Sequence, residues 1–158
     1  MSEQKARANI TLEAIAGTNS DVQIVTRRPT TRAQQTETSM RDAATIAKLY
    51  IELWNETDPN RRAKVLAAEW DANATYVDPM MRGSGIGEID RLIGGVHAQF
   101  PGYRFKLITQ PNGFGEFARF SWSLGPAKGD APIEGSDVVA LKGDRISQVI
   151  GFLDKVPQ

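Results

Sequence analysis

Three oxygen-bearing side chains stand on segments whose other members are apolar. Tyr50 falls on an apolar helical face with Ile46, Leu49, Leu53 and Trp54. Asp78 ends the strand-like run Ala74–Asp78, directly before Pro79. Asp137 alternates in phase with Val139 and Leu141. Carboxylates and a phenol are groups of proton-transfer chemistry. A polar residue on an apolar strand face needs a reason. If the face of Asp137 is interior, an unpaired carboxylate there is costly and stays protonated; a register slipped by one residue puts it in water instead. Asp78 is either a functional carboxylate or an ordinary Asp-Pro turn starter. Tyr50 is either a pocket donor or core with a satisfied hydroxyl. His97, the only histidine, lies beside Val96 and Phe100 on the inner face of a helix. It is an acid/base partner or a buried ring bonded to backbone. The chain has no cysteine, which excludes thiolate catalysis, disulfides and cysteine–zinc sites. With a single histidine, no transition-metal site and no cofactor are expected.

Elements must hold these groups. Ser39 and Asp42 resemble a capping box, and helical spacing then runs to about Asn55. Asp58 and Pro59 cap a second helix whose inner stripe is read as Leu66, Ala67 and Trp70. The segment GSGIG (83–87) matches no dinucleotide or phosphate loop and reads as a flexible rim. A third helix places Ile86, Ile89, Ile93, Val96, His97 and Phe100 on one face and stops at Pro101-Gly102. The remainder alternates: Tyr103–Thr109, Phe114–Leu124, Ser136–Leu141 and Ile146–Leu153, the last two flanking the hairpin signal Gly143-Asp144. An α+β fold follows, an antiparallel sheet with three helices on one face.

Along Phe114–Leu124, Ala118, Phe120, Trp122 and Leu124 share one side, and Phe117, Arg119, Ser121 and Ser123 the other. Only one side can line a cavity. The candidates for ligand contact are Trp54, Phe100, Phe117, Arg119, Val139 and Val149. Phe114, Phe120 and Trp122 supply an apolar sheet surface if theirs is the outward face.

The 158 residues fit one domain able to bury a core without staples. Residues 1–38, with no aromatic residue and a polar stretch from Gly17 to Thr38, read as a peripheral arm. Within the arm, Ile10–Ile15 and Val22–Thr26 are short strand candidates, and the domain proper is 39–158. Formal net charge is zero, so no nucleic acid or anionic lipid partner is expected. No apolar run approaches the roughly 20 residues of a membrane helix. The N-terminus MSEQKARANI has no secretory pattern, which leaves a cytoplasmic location as the default.

The segments YIELWNETD (50–58), ATYVDP (74–79), HAQFPGYRF (97–105), ARFSWSL (118–124) and SDVVALKGDRISQVIGF (136–152) carry a resemblance. Together they make the chain, over roughly residues 40–156, similar to the nuclear transport factor 2-like superfamily. Within it they resemble the SnoaL-like polyketide cyclases and ketosteroid isomerases. The resemblance implies a cone: a curved antiparallel sheet covered by three N-terminal-side helices, a cystatin-like α+β barrel open to a small apolar molecule. It also implies a homodimer and roles for three residues. Asp78 matches the general base, Tyr50 the tyrosine that hydrogen-bonds the substrate oxygen, and Asp137 the neutral aspartic acid beside it. Ketosteroid isomerase is itself a worked case of a carboxylic acid kept neutral to donate. The implied activity is cofactor-free proton transfer on a small apolar carbonyl compound, by isomerisation or cyclisation. Two alternatives stand beside it: a non-catalytic binding module, and an epoxide hydrolase-like site in which Arg119 bridges to Asp137. The superfamily hosts all of these, so fold alone does not choose.

Overall fold

A computed structural model describes residues 41–158. The arm 1–38, its two strand candidates and Ser39 lie outside the described residues. Within them, Asp42 caps the first helix, α1 (Ala43–Asn55), by accepting from Thr45 N at 2.7 Å. The helix buries Ile46, Ala47, Tyr50, Ile51, Leu53 and Trp54. Its last residue is tied down: the Asn55 side chain donates to Phe105 O and accepts from Phe105 N, 2.9 and 2.8 Å. That amide fixes the depth at which Tyr50 and Trp54 enter the core.

Asp58 and Pro59 start α2 (Pro59–Glu69) as the sequence indicates. Its inner stripe differs from expectation. Ala67 is exposed, and Trp70 belongs to the following strand. Arg62 and Leu66 are the buried pair. Arg62 reaches Asp90 Oδ1 at 2.7 Å and the Glu56 carbonyl at 3.0 Å, locking α2 to the third helix with its charge paired.

Strand β1 (Trp70–Val77) is followed by β2 (Arg82–Ser84) and α3 (Ile86–Gln99). The glycine-rich segment is therefore not a loose rim. Gly83 packs so closely that a Cβ would lie 3.1 Å from Leu92 Cδ1, and Gly85 takes a left-handed φ of 83° to turn into α3. Next come β3 (Arg104–Leu107), β4 (Asn112–Phe114), β5 (Phe117–Gly125), β6 (Ile133–Lys142) and β7 (Arg145–Lys155). Periodicity alone joins β4 to β5; the structure separates them by a turn at Gly115.

The seven strands form one curved sheet in the order β2-β1-β7-β6-β5-β3, with β4 also on β5. All junctions are antiparallel except β1–β7, which is parallel. Register shifts interrupt β1–β7 and β6–β7, and such irregularities let a sheet bend. The helices pack on the concave face: α1 against β3, β4 and β5, α3 against β1 and β2, and α2 against β1 and β7. The concave face carries Ala118, Phe120, Trp122 and Leu124 of β5, so the outward apolar surface expected from Phe120 and Trp122 is not formed by them. Phe114, Phe117, Ile150 and Phe152 are the exposed large apolar side chains of the strands. No helix among the described residues is long and apolar enough to cross a membrane.

Candidate active site

Two aspartates reach one point of the concave face from different strands. Asp137 lies opposite Gly151 in the β6–β7 ladder. Val77 pairs with Ile150 in the parallel β1–β7 ladder, so the next residue, Asp78, arrives beside the same glycine. A Cβ at Gly151 would lie 2.9 Å from Asp137 Oδ1, 3.2 Å from Asp78 Cβ and 3.6 Å from the Tyr76 hydroxyl. The missing Cβ is what lets both acid side chains come close over this strand. A second glycine lets an indole lie flat against the strand. Trp122 pairs with Gly135, and a Cβ at Gly135 would lie 2.4 Å from the indole ring.

From α1, Tyr50 donates its hydroxyl to Asp137 Oδ2 at 2.5 Å. Both side chains are almost fully buried. Burial, and then the charge of Asp137, holds the Tyr50 phenol well above its ordinary range. Burial likewise pushes the Asp137 carboxyl up to about 6. Tyr50 and Trp122 favour its ionised form and oppose this, while the charges of Asp78 and Asp154 add to it. The carboxyl is thus poised near neutrality rather than locked in the protonated form.

Asp78 starts a turn and also lines the cavity described below. Its Oδ1 accepts from Met80 N and Met81 N at 2.7 and 2.8 Å, which builds the turn. Its Oδ2 accepts from the Tyr76 hydroxyl at 2.8 Å. Tyr76 is buried, and burial followed by the charges of Asp137 and Asp78 keeps its phenol strongly raised.

These groups line a cavity of about 380 Å³, within the range of small-molecule sites. Trp54, Phe100, Phe105 and Trp122 give it aromatic walls, and the exposed Met80 and Val156 stand at its rim. Among the described residues its lining contains two carboxylates and no lysine, arginine or histidine. No cluster of three or more metal-ligating side chains occurs among the described residues.

Of the residues singled out by sequence, Tyr50, Asp78, Asp137, Trp54 and Phe100 line this cavity. Val139 and Val149 do not: they pair across β6–β7 and are fully buried in the core beneath it. Phe117 and Arg119 alternate onto the outer face of β5, because the concave side of that strand is taken by Ala118, Phe120 and Trp122. Arg119 therefore does not bridge to Asp137. His97 lies outside the cavity lining, its Nε2 2.6 Å from the Trp54 carbonyl, where it joins α3 to α1. Sequence reasoning missed Tyr76 and Gly151. Tyr76 was findable, since it shares a strand face with Asp78 two residues on. Gly151 was not, since its role exists only once β1 and β6 flank β7.

No family model and no curated protein matches the chain. Solved structures do. A SnoaL-like family protein from Agrobacterium tumefaciens, proposed as an isomerase, is 45% identical over 71% of this chain and 97% of its own, with a TM-score of 0.69. A protein from Kribbella flavida, proposed as a ketosteroid isomerase, is 20% identical over 72% of this chain and 78% of its own, with a TM-score of 0.55. A protein of ketosteroid isomerase-like fold from Catenulispora acidiphila, in complex with trimethylamine, is 17% identical over 70% of this chain and 85% of its own, with a TM-score of 0.57. The last two share the fold.

Proposed function

The chain belongs to the SnoaL-like family, and from that premise we propose that it is a cofactor-free acid/base enzyme acting on a small apolar carbonyl compound. The observation that carries this reading is the meeting of Asp78 and Asp137 over the bare backbone of Gly151, inside one apolar cavity. Asp78 takes a proton from the carbon next to the carbonyl. The C–H electron pair becomes the enolate, whose oxygen is stabilised by the Asp137 carboxyl in its protonated form. In the isomerase form of the reaction, Asp78 returns the proton two carbons further along, which regenerates the base and yields the conjugated ketone.

The magnitudes suit the geometry. A positioned base contributes roughly 10²–10⁴-fold, and one preorganised donor to an oxyanion about 10²–10³-fold. A cavity without cationic side chains and with two acids disfavours ligands that bear carboxylate or phosphate. A neutral ketone meets no such penalty. The trimethylamine bound to a protein of the same fold supports treating the cavity as a small-molecule site.

The test is the conversion of a β,γ-unsaturated cyclic ketone to its conjugated isomer, followed by enone absorbance. Asp78→Asn is expected to reduce kcat at least a hundredfold while ketone binding is kept. Full activity in Asp78→Asn rules out the base. The reading includes a homodimer, supported by the apolar outer face of Phe117, Ile150 and Phe152. Sedimentation of Phe152→Glu as a monomer, against a wild-type dimer, is the expected result.

A further inference from the structure

The cavity floor contains polar atoms that the hydrogen bonding of the protein leaves unused. Among the described residues, four buried side-chain nitrogen or oxygen atoms have no partner. Three belong to side chains that line the cavity: Trp54 Nε1, Trp122 Nε1 and Asp137 Oδ1. A buried polar group without a well-made hydrogen bond is destabilising, so three on the lining of one cavity mark where a ligand's polar atom would gain most.

Their arrangement sets an order. Tyr50 has one hydroxyl proton, and it is already given to Asp137 Oδ2. The oxygen of Asp137 that remains free is Oδ1, and it is the one that lies over Gly151. Trp122 Nε1 lies close enough to Asp137 to favour its ionised form, whereas Trp54 Nε1 stands in the same relation to the Tyr50 hydroxyl. An oxygen seated at Asp137 Oδ1 therefore has the Trp122 indole as its neighbouring donor, with Tyr50 on the far side of the carboxyl.

We propose, building on the acid/base reading above, that Trp122 is a catalytic residue that donates its indole N–H to the ligand oxygen beside Asp137 Oδ1–H, and that Tyr50 is a positioning residue acting through Asp137. The donors to the ligand are one carboxyl and one indole, and the tyrosine holds the carboxyl so that its proton sits on the inward oxygen. The indole N–H does not ionise in water, so its contribution is the same at every working pH. The carboxyl donates only while protonated. Its charge is opposed by Asp78 at the end of β1 and Asp154 on β7, and faced by the neutral phenols of Tyr50 on α1 and Tyr76 on β1.

The experiment compares two neutral probes by calorimetry: 2-acetylnaphthalene, which can only accept, and 2-ethylnaphthalene, which has no oxygen. The affinity ratio isolates the hydrogen bonds, because damage to packing lowers both affinities alike. Wild type is expected to prefer the ketone most strongly at pH 5, and that preference should fall to the share carried by the indole as pH rises through about 6, where Asp137 ionises. Trp122→Phe is expected to lower the ratio roughly tenfold at pH 5. Tyr50→Phe is expected to keep the ratio within about threefold at pH 5 and to carry it to higher pH, since Tyr50 favours the ionised carboxyl. The inference is overturned if Tyr50→Phe loses the tenfold and Trp122→Phe leaves the ratio unchanged; the oxyanion site then survives with Tyr50 as its direct donor. If wild type shows no preference for the ketone at pH 5, or Asp137→Leu keeps the full wild-type ratio there, the inference and the acid/base reading both fall.

Discussion

Strand β6 carries two polar side chains one residue apart, and the sheet sends them to different worlds. On the outer face, Ser136 Oγ donates to Asp154 Oδ2 at 2.6 Å and meets Ser121 Oγ at 2.7 Å. That row is closed, with each strand supplying a partner to the next. On the concave face, Asp137 has Tyr50 on one oxygen and nothing on the other. The outer carboxylate is solvated and paired, which makes it ordinary surface chemistry. The inner one is buried with spare capacity, which is the condition for acting on a ligand. The same residue type becomes structural or chemical according to the side of a strand on which it falls.

The contrast breaks most sharply at the glycines under the inner face. Gly135→Ala places a Cβ 2.4 Å from the Trp122 ring and 2.6 Å from the Phe152 carbonyl. A loss of about 3 kcal/mol in chemical denaturation, with loss of ligand binding, is expected. Next in size is pH. The Asp137 carboxyl is raised from 3.8 to about 6, so the folded chain holds a proton there that the unfolded chain gives up. Its stabilising contribution is complete below pH 4 and is lost as pH rises through 6, a change of about 2–3 kcal/mol. Asp137→Leu should flatten that slope in urea titrations between pH 4 and 7. Combining it with Tyr50→Phe removes both partners of the buried pair, and the double variant should match wild-type stability at pH 7 within about 1 kcal/mol. The smallest effect belongs to the outer row. Ser136→Ala should change stability by less than about 0.5 kcal/mol and leave probe binding untouched. A larger loss would mean that the two faces differ less than their burial suggests.

Part of this was legible without coordinates. Period-2 alternation assigned Asp137 to the apolar face of its strand, and 3.6-residue spacing placed Tyr50 and Trp54 on one side of α1. The V-D-P run marked Asp78 at a strand end. Alternation also separated Phe117 and Arg119 from Phe120 and Trp122, but it carries no sign. Both sides of β5 hold aromatic residues, and only the packing of α1 on one of them decides which is inside. Val139 and Val149 had the right phase and the wrong depth: phase gives the face of a strand, not the distance to a cavity. The Trp70 assignment failed for a different reason, since a helix that ends in a strand without a linker offers no turn residue to mark the change. The pairing of β1 with β7 left no local trace at all, because its register joins Tyr76 to Val149.

That last pairing has a kinetic side. Ladders between residues so far apart in sequence form late, after shorter loops have closed. The meeting of Asp78 with Asp137 waits for β7 to lie between them, so this candidate site has no partly built precursor along the chain. Refolding monitored by probe binding should therefore lag the recovery of helical signal and coincide with the final, slowest folding phase. A molecule caught halfway holds both acids, each on its own unfinished surface, and neither can reach the other's ligand.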